Sequence, residues 1–375
     1  MRFLLRIAGP MWISAALLCA MVTAGVAFAR PQMNWDMLAY VALVRGWEGA
    51  PPRVAHDEAY AQARALAAAR GVPERFAGLV AAGHRAEVAA DFSVFGEQLP
   101  FYRSRPLYLG VVAAMGVLFG SVAAGCAAIS VFSILAVAIA VLGFGVGRVG
   151  AARTGLLVGL LSLSPVMMDA AGSASPDGLV ALMACVGAML WVSGRLVWAA
   201  CLLAAGVLVR TDLAIFNVCL GAAWVWMAGW RAGLRPGIVL AGSLVLAKGV
   251  DVWAGGYGYL ALYHYTFIEA YVAHPGALRG LAIPVAVFAE NLVRGVLYSL
   301  ENGGLWMVMV GIGLCGFLAR GRGAIALVVA VCVQTVIRYL LFPEIDLRFA
   351  APGVAVLAVV LVAGPHLSRQ SRLGG

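Results

Sequence analysis

Arginines and aspartates recur at the edges of apolar runs in this sequence, and these residue types suit proton transfer beside a bound phosphate. Asp36 stands in RPQMNWDMLAY, just past the first apolar segment. Arg210 and Asp212 stand in LVRTD, Lys248 and Asp251 in KGVD, and Arg338, Asp346 and Arg348 in RYLLFPEIDLRF, with Glu344 among them. Asp169 and Asp177 lie on either side of a small-residue turn in SPVMMDAAGSASPDG. A carboxylate can take a proton from a hydroxyl as general base, and a guanidinium offers a rigid fork of donors that matches a phosphate. Each group also has a simpler reading. Asp36 suits the first turn of a helix beginning near Asn34. Arg210 and Asp212 can satisfy each other at a helix turn, and Lys248 and Asp251 share one helix face at i,i+3.

The chain that positions these groups is apolar. Of its 375 residues 63% are hydrophobic and 11% charged, and the mean hydropathy is +0.95. That is more apolar surface than a soluble domain buries, so the sequence predicts an all-α polytopic membrane protein. The formal charge of +9 is spread without a basic run, which speaks against nucleic acid and for a topology signal. Seven cysteines sit singly in apolar segments and five histidines show no zinc spacing. They predict packing residues and no metal site.

Met1–Ala29 ends Ala27-Phe28-Ala29, as a signal-peptide cleavage site would. Its apolar run exceeds the roughly 7–15 residues of a signal core, so an uncleaved first span is expected. Further runs near 122–147, 154–170, 177–194, 196–209, 212–230, 237–253, 304–319, 323–342 and 350–365 predict about ten crossings in one transmembrane domain over 1–375. The long first loop, 30–121, is then extracytoplasmic, with short helices over Asp57–Gly71 and Pro73–Asp91. Pro106–Phe119 and Ile283–Leu300 are expected as outer-face juxtamembrane helices. On this layout Arg2, Arg6, Arg148, Arg153, Arg195, Arg231, Arg235, Arg320, Arg322, Arg369 and Arg372 face inward with no acid. Every inner loop therefore obeys the positive-inside rule, with both termini cytoplasmic in a bacterial-type inner membrane.

Leu196–Val209 makes about 21 Å of helix against about 30 Å of hydrocarbon. Arg210 and Asp212 therefore fall below the outer surface, and so do Asp169, Lys248, Asp251 and Arg338. Charges at that depth cost a few kcal/mol unless paired or hydrated, which predicts an outward-facing aqueous cavity. Tyr257, Tyr263, His264 and Tyr265 in YGYLALYHYTF read as an interfacial aromatic belt, or as a surface that touches a sugar or a lipid headgroup.

The order of these motifs, with SRPLYLGVVAAMGVLFGS between the first and second, resembles the GT-C superfamily of polytopic glycosyltransferases, which includes protein O-mannosyltransferases, aminoarabinose transferases and oligosaccharyltransferases. The likeness runs from about Met1 to Gly353. It implies a polyprenyl-phosphate-linked sugar as donor, a site on the extracytoplasmic side, and a catalytic acid in the first outer loop, the position Asp36 occupies. Arg210, Lys248, Arg338 and Arg348 would then hold the departing lipid phosphate, with Asp169, Asp177, Asp212, Asp251 and Asp346 as supporting or alternative acids. No cofactor is required, although a divalent cation could share in the phosphate clamp. The motif NWD departs from the family pattern in lacking a directly following second acid. No soluble domain follows the last run, so recognition of the unknown acceptor is expected from loops. A lipid or solute transporter, or a non-catalytic membrane subunit, is the competing expectation. The nearly charge-free inner halves of the spans and the absence of an internal repeat weigh against transport.

Overall fold

The computed structural model describes residues 2–71, 84–269, 272–301, 304–343 and 346–363, and these are almost entirely helical. Helix α1 (Arg2–Ala29) carries the first apolar run. The Asn34 side chain accepts a hydrogen bond from the Met37 amide and starts α2 (Trp35–Trp47), the helix boundary expected there. After Asp36, α2 has no charged residue until Arg45, and Met37–Val44 are buried without a break. A helix with no polar face has nowhere to lie but the interior.

The first loop continues as α3 (Pro52–Ala69), α4 (His84–Ala90), α5 (Phe92–Gln98) and α6 (Pro100–Arg103). The helix expected from Asp57 begins earlier, because Pro52 fits the first helical position, where no amide proton is needed. Most of the helix expected over Pro73–Asp91 lies outside the described residues; its end is α4.

Helix α7 (Pro106–Phe119) turns at Gly120, whose φ of +77° favours glycine, into α8 (Val122–Val149), capped by the Ser121 hydroxyl. The two helices press together: a Cβ on Gly125 would fall 2.6 Å from the Gly116 nitrogen. Then come α9 (Ala151–Ser162) and α10 (Pro165–Gly172), bent by 57° at a break where Ser164 caps the second piece. Helices α11 (Asp177–Val192), α12 (Leu196–Gly206), α13 (Leu213–Ala228) and α14 (Trp230–Trp253) follow. A short α15 (Tyr259–Tyr263) runs into a π-turn at His264–Ile268 and a 3₁₀ turn at Pro275–Leu278. Helices α16 (Val285–Glu301), α17 (Gly304–Leu318) and α18 (Arg322–Leu341), a 3₁₀ turn at Leu347–Ala350 and α19 (Ala351–Ala363) complete the described chain.

Four helical stretches are long and apolar enough to cross a membrane: Gly9–Ala29, Val122–Val149, Trp230–Trp253 and Arg322–Leu341. The bent pair α9–α10 makes a fifth if it counts as one span. The helices α7, α11, α12, α13 and parts of α17 and α19 are apolar but shorter. This is the architecture of an all-α membrane protein. Buried polar side chains join the helices: Asn217 donates at 2.9 Å to both the Leu203 carbonyl and the Ser243 hydroxyl, linking α12, α13 and α14. The Thr23 hydroxyl ties α1 to the Ser162 carbonyl of α9. In an apolar surrounding such bonds act as interhelical glue.

The α7–α8 contact makes a prediction. Gly125→Ala would force the two backbones apart and should cost about 1–3 kcal/mol. Gly143→Ala on the same helix, where an added Cβ meets nothing within 4 Å, should be neutral or slightly stabilising. Thermal unfolding of the two purified variants checks this; equal melting points would remove the close-packing argument.

Candidate functional site

Among the described residues the sole β feature is a parallel bridge between Gln32 and Ser173, and it brings the start of α2 to the end of α10. Asp177 opens α11 nearby, with Pro176 at the position just before the helix. Here Asp177 is only 1% exposed. Its carboxylate pairs with Arg210 and lies 3.6 Å from the Arg348 Nε, and it accepts a 2.7 Å hydrogen bond from the Ser175 hydroxyl. Arg210 also pairs with Asp212 at 2.9 Å, and the other Asp212 oxygen lies 3.8 Å from Arg338, in the last turn of α18. Arg348 pairs with Asp346 at 2.8 Å and lies 4.0 Å from Asp36. Its backbone amide donates to Asp169 at 3.0 Å.

Three guanidinium groups thus converge, and Phe349 lies among them. The central carbons of Arg210, Arg338 and Arg348 lie 4.2, 4.4 and 5.1 Å from its ring centre. The negative face of an aromatic ring offsets part of the repulsion between cations held so close. The pairs Arg338–Asp212 and Arg348–Asp36 exceed hydrogen-bond length, so an anion entering there displaces the weakest contacts.

Beside Arg210 and Asp212 lies a small recess with a free volume of about 20 Å³, room on the order of one water molecule. Its walls are largely apolar and come from α11, α13 and α19, among them Val180, Ala184, Leu213, Phe216 and Val356, while Gln334 of α18 adds a polar side chain. The mouth of this recess carries both signs, Arg210 and Asp212, above apolar walls.

The structure brings together Asp36, Asp169, Asp177, Arg210, Asp212, Arg338, Asp346 and Arg348, all drawn from the sequence as site residues. Glu344 lies outside the described residues. Lys248 and Asp251 pair with each other at 3.2 Å, with Lys248 72% exposed, and no contact joins them to the cluster. Their i,i+3 spacing on α14 satisfies them locally.

The tyrosine-rich segment also stands apart and works as a dock. Tyr257 donates to the Glu97 carbonyl at 2.8 Å, and Tyr257 and Tyr265 pack on Phe101. Tyr263 packs on Phe267 and Phe288, and the His264 ring bonds the Ala282 carbonyl at 3.1 Å. These contacts fasten the 257–288 segment to the first loop and to itself.

One cation was missed in the sequence. Arg105, just before α7, lies against the rings of Tyr40 and Tyr102, 5.5 Å from each. It feels the charges of Asp36, Arg210 and Asp212, and its Nη1 is buried without a hydrogen-bond partner. Its sequence signal is the one that marks Arg210 and Arg338, an arginine at the edge of an apolar run. Phe349 had no signal at all. Among the described residues no three His, Cys, Asp or Glu side chains are arranged to hold a metal ion.

Compared with family models, with curated proteins and with solved structures, the chain matches none.

The dock carries a pH prediction. His274 bonds Glu97 at 3.0 Å, with Glu87 3.8 Å away. The Glu97 carboxylate lifts the His274 pKa above its ordinary value of 6.5. A raised folded-state pKa stabilises below the unfolded value, and that contribution is lost as pH rises through the folded value. The protein should therefore melt higher than its His274→Gln variant at about pH 5.5 and no higher at about pH 8.5. A constant difference across that range would remove the charged histidine from the dock.

Proposed function

We propose that this chain is a membrane glycosyltransferase of the GT-C kind. It moves a sugar from a polyprenyl-phosphate donor to an acceptor hydroxyl on the extracytoplasmic face. The observation that carries the reading is the convergence of three guanidinium groups around Phe349, beside a small recess with apolar walls. The phosphate of a lipid donor is the part such a cluster accommodates. Asp36, 4.0 Å from Arg348, adds a carboxylate at the edge of the cluster and keeps about a quarter of its side-chain surface open.

In this reading the acceptor oxygen attacks the anomeric carbon, the bond from that carbon to the phosphate oxygen breaks, and its electron pair leaves with the lipid phosphate. The hydroxyl proton passes to Asp36. Arg210, Arg338 and Arg348 hold the phosphate as its charge grows, and preorganised cations of that kind supply much of a rate enhancement. Arg105, with a buried nitrogen still lacking a partner, is a further phosphate donor. Asp177 and Asp212 orient the arginines, and the chemistry requires no cofactor.

The proposed topology has ten crossings, with the cluster toward the outer face. Ser130 of α8 donates to the Ser175 carbonyl beside the cluster. From Ser130 to Val149 run about 19 residues, or about 28 Å of helix, close to the roughly 30 Å of a hydrocarbon core. With Arg148 and Arg153 at the cytoplasmic boundary, the cluster sits at the outer one.

Two measurements test this. Asp36→Asn keeps the shape and loses the base, so sugar transfer should fall about 10²-fold or more while polyprenyl phosphate still binds; near-normal transfer would remove Asp36 from the mechanism. Arg210→Ala should weaken polyprenyl phosphate binding by about 2–5 kcal/mol. Part of that loss comes from leaving buried Asp177 with Arg348 as its one remaining arginine partner. Arg210→Ala combined with Asp177→Asn separates the two effects: binding should stay weak if Arg210 holds the phosphate, and recovery would make it a structural partner only.

A further inference from the structure

The Gln32–Ser173 bridge is fastened by side chains on both sides, and they lead to Asp36 on one and to Arg348 on the other. The Gln32 amide donates to the Gly172 carbonyl at 2.7 Å, and its side chain donates to Asp169 Oδ1 at 3.1 Å. The other Asp169 oxygen accepts the Arg348 amide at 3.0 Å. The Ser173 hydroxyl oxygen, on a residue 2% exposed, accepts from the Asn34 side chain at 3.1 Å and from Arg348 Nη1 at 2.6 Å. Asn34 in turn accepts the Met37 amide and caps the helix whose second residue is Asp36. Three segments far apart in sequence are joined through one hydroxyl and one carboxylate.

We infer that Ser173 and Asp169 are positioning residues, setting where Asp36 stands relative to Arg348, so that base and phosphate clamp move as one body. This rests on the reading of Asp36 and Arg348 in the preceding section. Neither residue needs to touch a substrate. Ser173 has both acceptor positions of its oxygen engaged, and each Asp169 oxygen accepts from a different segment, Gln32 on one side and Arg348 on the other. The local geometry of α2 does not require the junction, because a helix cap needs only an acceptor at Asn34. The donor half of the Asn34 amide is therefore the part that sets position.

Asn34→Ser isolates that half: serine caps a helix as well as asparagine does, adds no charge, and lacks the amide that reaches Ser173. Ser173→Ala removes the shared oxygen. The measurement is the rate at which a water-soluble carbodiimide modifies Asp36 in the purified full chain, read by peptide mass spectrometry, with exposed Glu290 on α16 as internal control. Asn34→Ser should raise the Asp36 rate about five-fold, the factor one lost hydrogen bond carries, and Ser173→Ala, which also removes the acceptor of Arg348, at least as much, with the Glu290 rate unchanged. The double variant should match Ser173→Ala alone, since the Asn34–Ser173 bond is already absent there. An unchanged Asp36 rate in either single variant would overturn the inference, and so would a rise shared by Glu290, which signals general loosening. Polyprenyl phosphate binding is measured on the same preparations. If the unsubstituted protein fails to bind it, the phosphate site falls while the carbodiimide rates still decide the positioning.

Discussion

Asp177, a carboxylate closed off from water and shared between Arg210 and Arg348, is the interaction on which the rest of the site depends. A buried carboxylate without partners would stay charged only at a cost of several kcal/mol. The two arginines that neutralise it come from opposite ends of the chain's second half, one before α13 and one before α19. Satisfying one buried charge therefore fixes two loops. Phe349 follows Arg348 directly and enters the space between the guanidinium groups, and Arg338 and Asp212 are drawn in around it. The same constraint explains the recess. Helices α11, α13 and α19 are held at their cluster ends by charge, and the space between them is lined with small and apolar side chains.

The helix bearing Asp36 enters this arrangement from the other side. Buried from Met37 to Val44, α2 can offer the site only its first turn, where Asn34 and Asp36 emerge. Trp35 packs there against Tyr60 and Phe95 of the first loop, so that loop braces the start of the helix. The first loop is braced in turn by the tyrosine-rich segment through Glu97, Gln98 and Phe101. Loops far apart in sequence thus form one layer around the start of α2.

Much of this was legible in the sequence because it is local. The start of α2 follows from Asn34 and Asp36, and the Lys248–Asp251 pair from its spacing. Apolar runs announced their helices. What could not be read was partnership across the chain. Nothing in LVRTD says that Arg210 reaches Asp177 as well as Asp212, and nothing in the sequence says that Lys248, with its own acid one turn away, stays out of the cluster. Arg105 was missed because the apolar run after it was treated as peripheral, whereas Gly116 and Gly125 let that run lie flush on α8 and carry the arginine inward. Ser173 gave no signal, since a serine in a small-residue turn is ordinary until its two donors are seen.

The central claim is that the arginines around Phe349 hold a lipid phosphate, and it is tested most directly by a structure of the protein in lipid nanodiscs loaded with polyprenyl phosphate. The account predicts phosphate density within hydrogen-bond distance of Arg210, Arg338 or Arg348 and the prenyl chain against Val180, Phe216 and Val356. A phosphate bound elsewhere, or a cluster left with all of its arginine–aspartate pairs unchanged at saturating lipid, would contradict it.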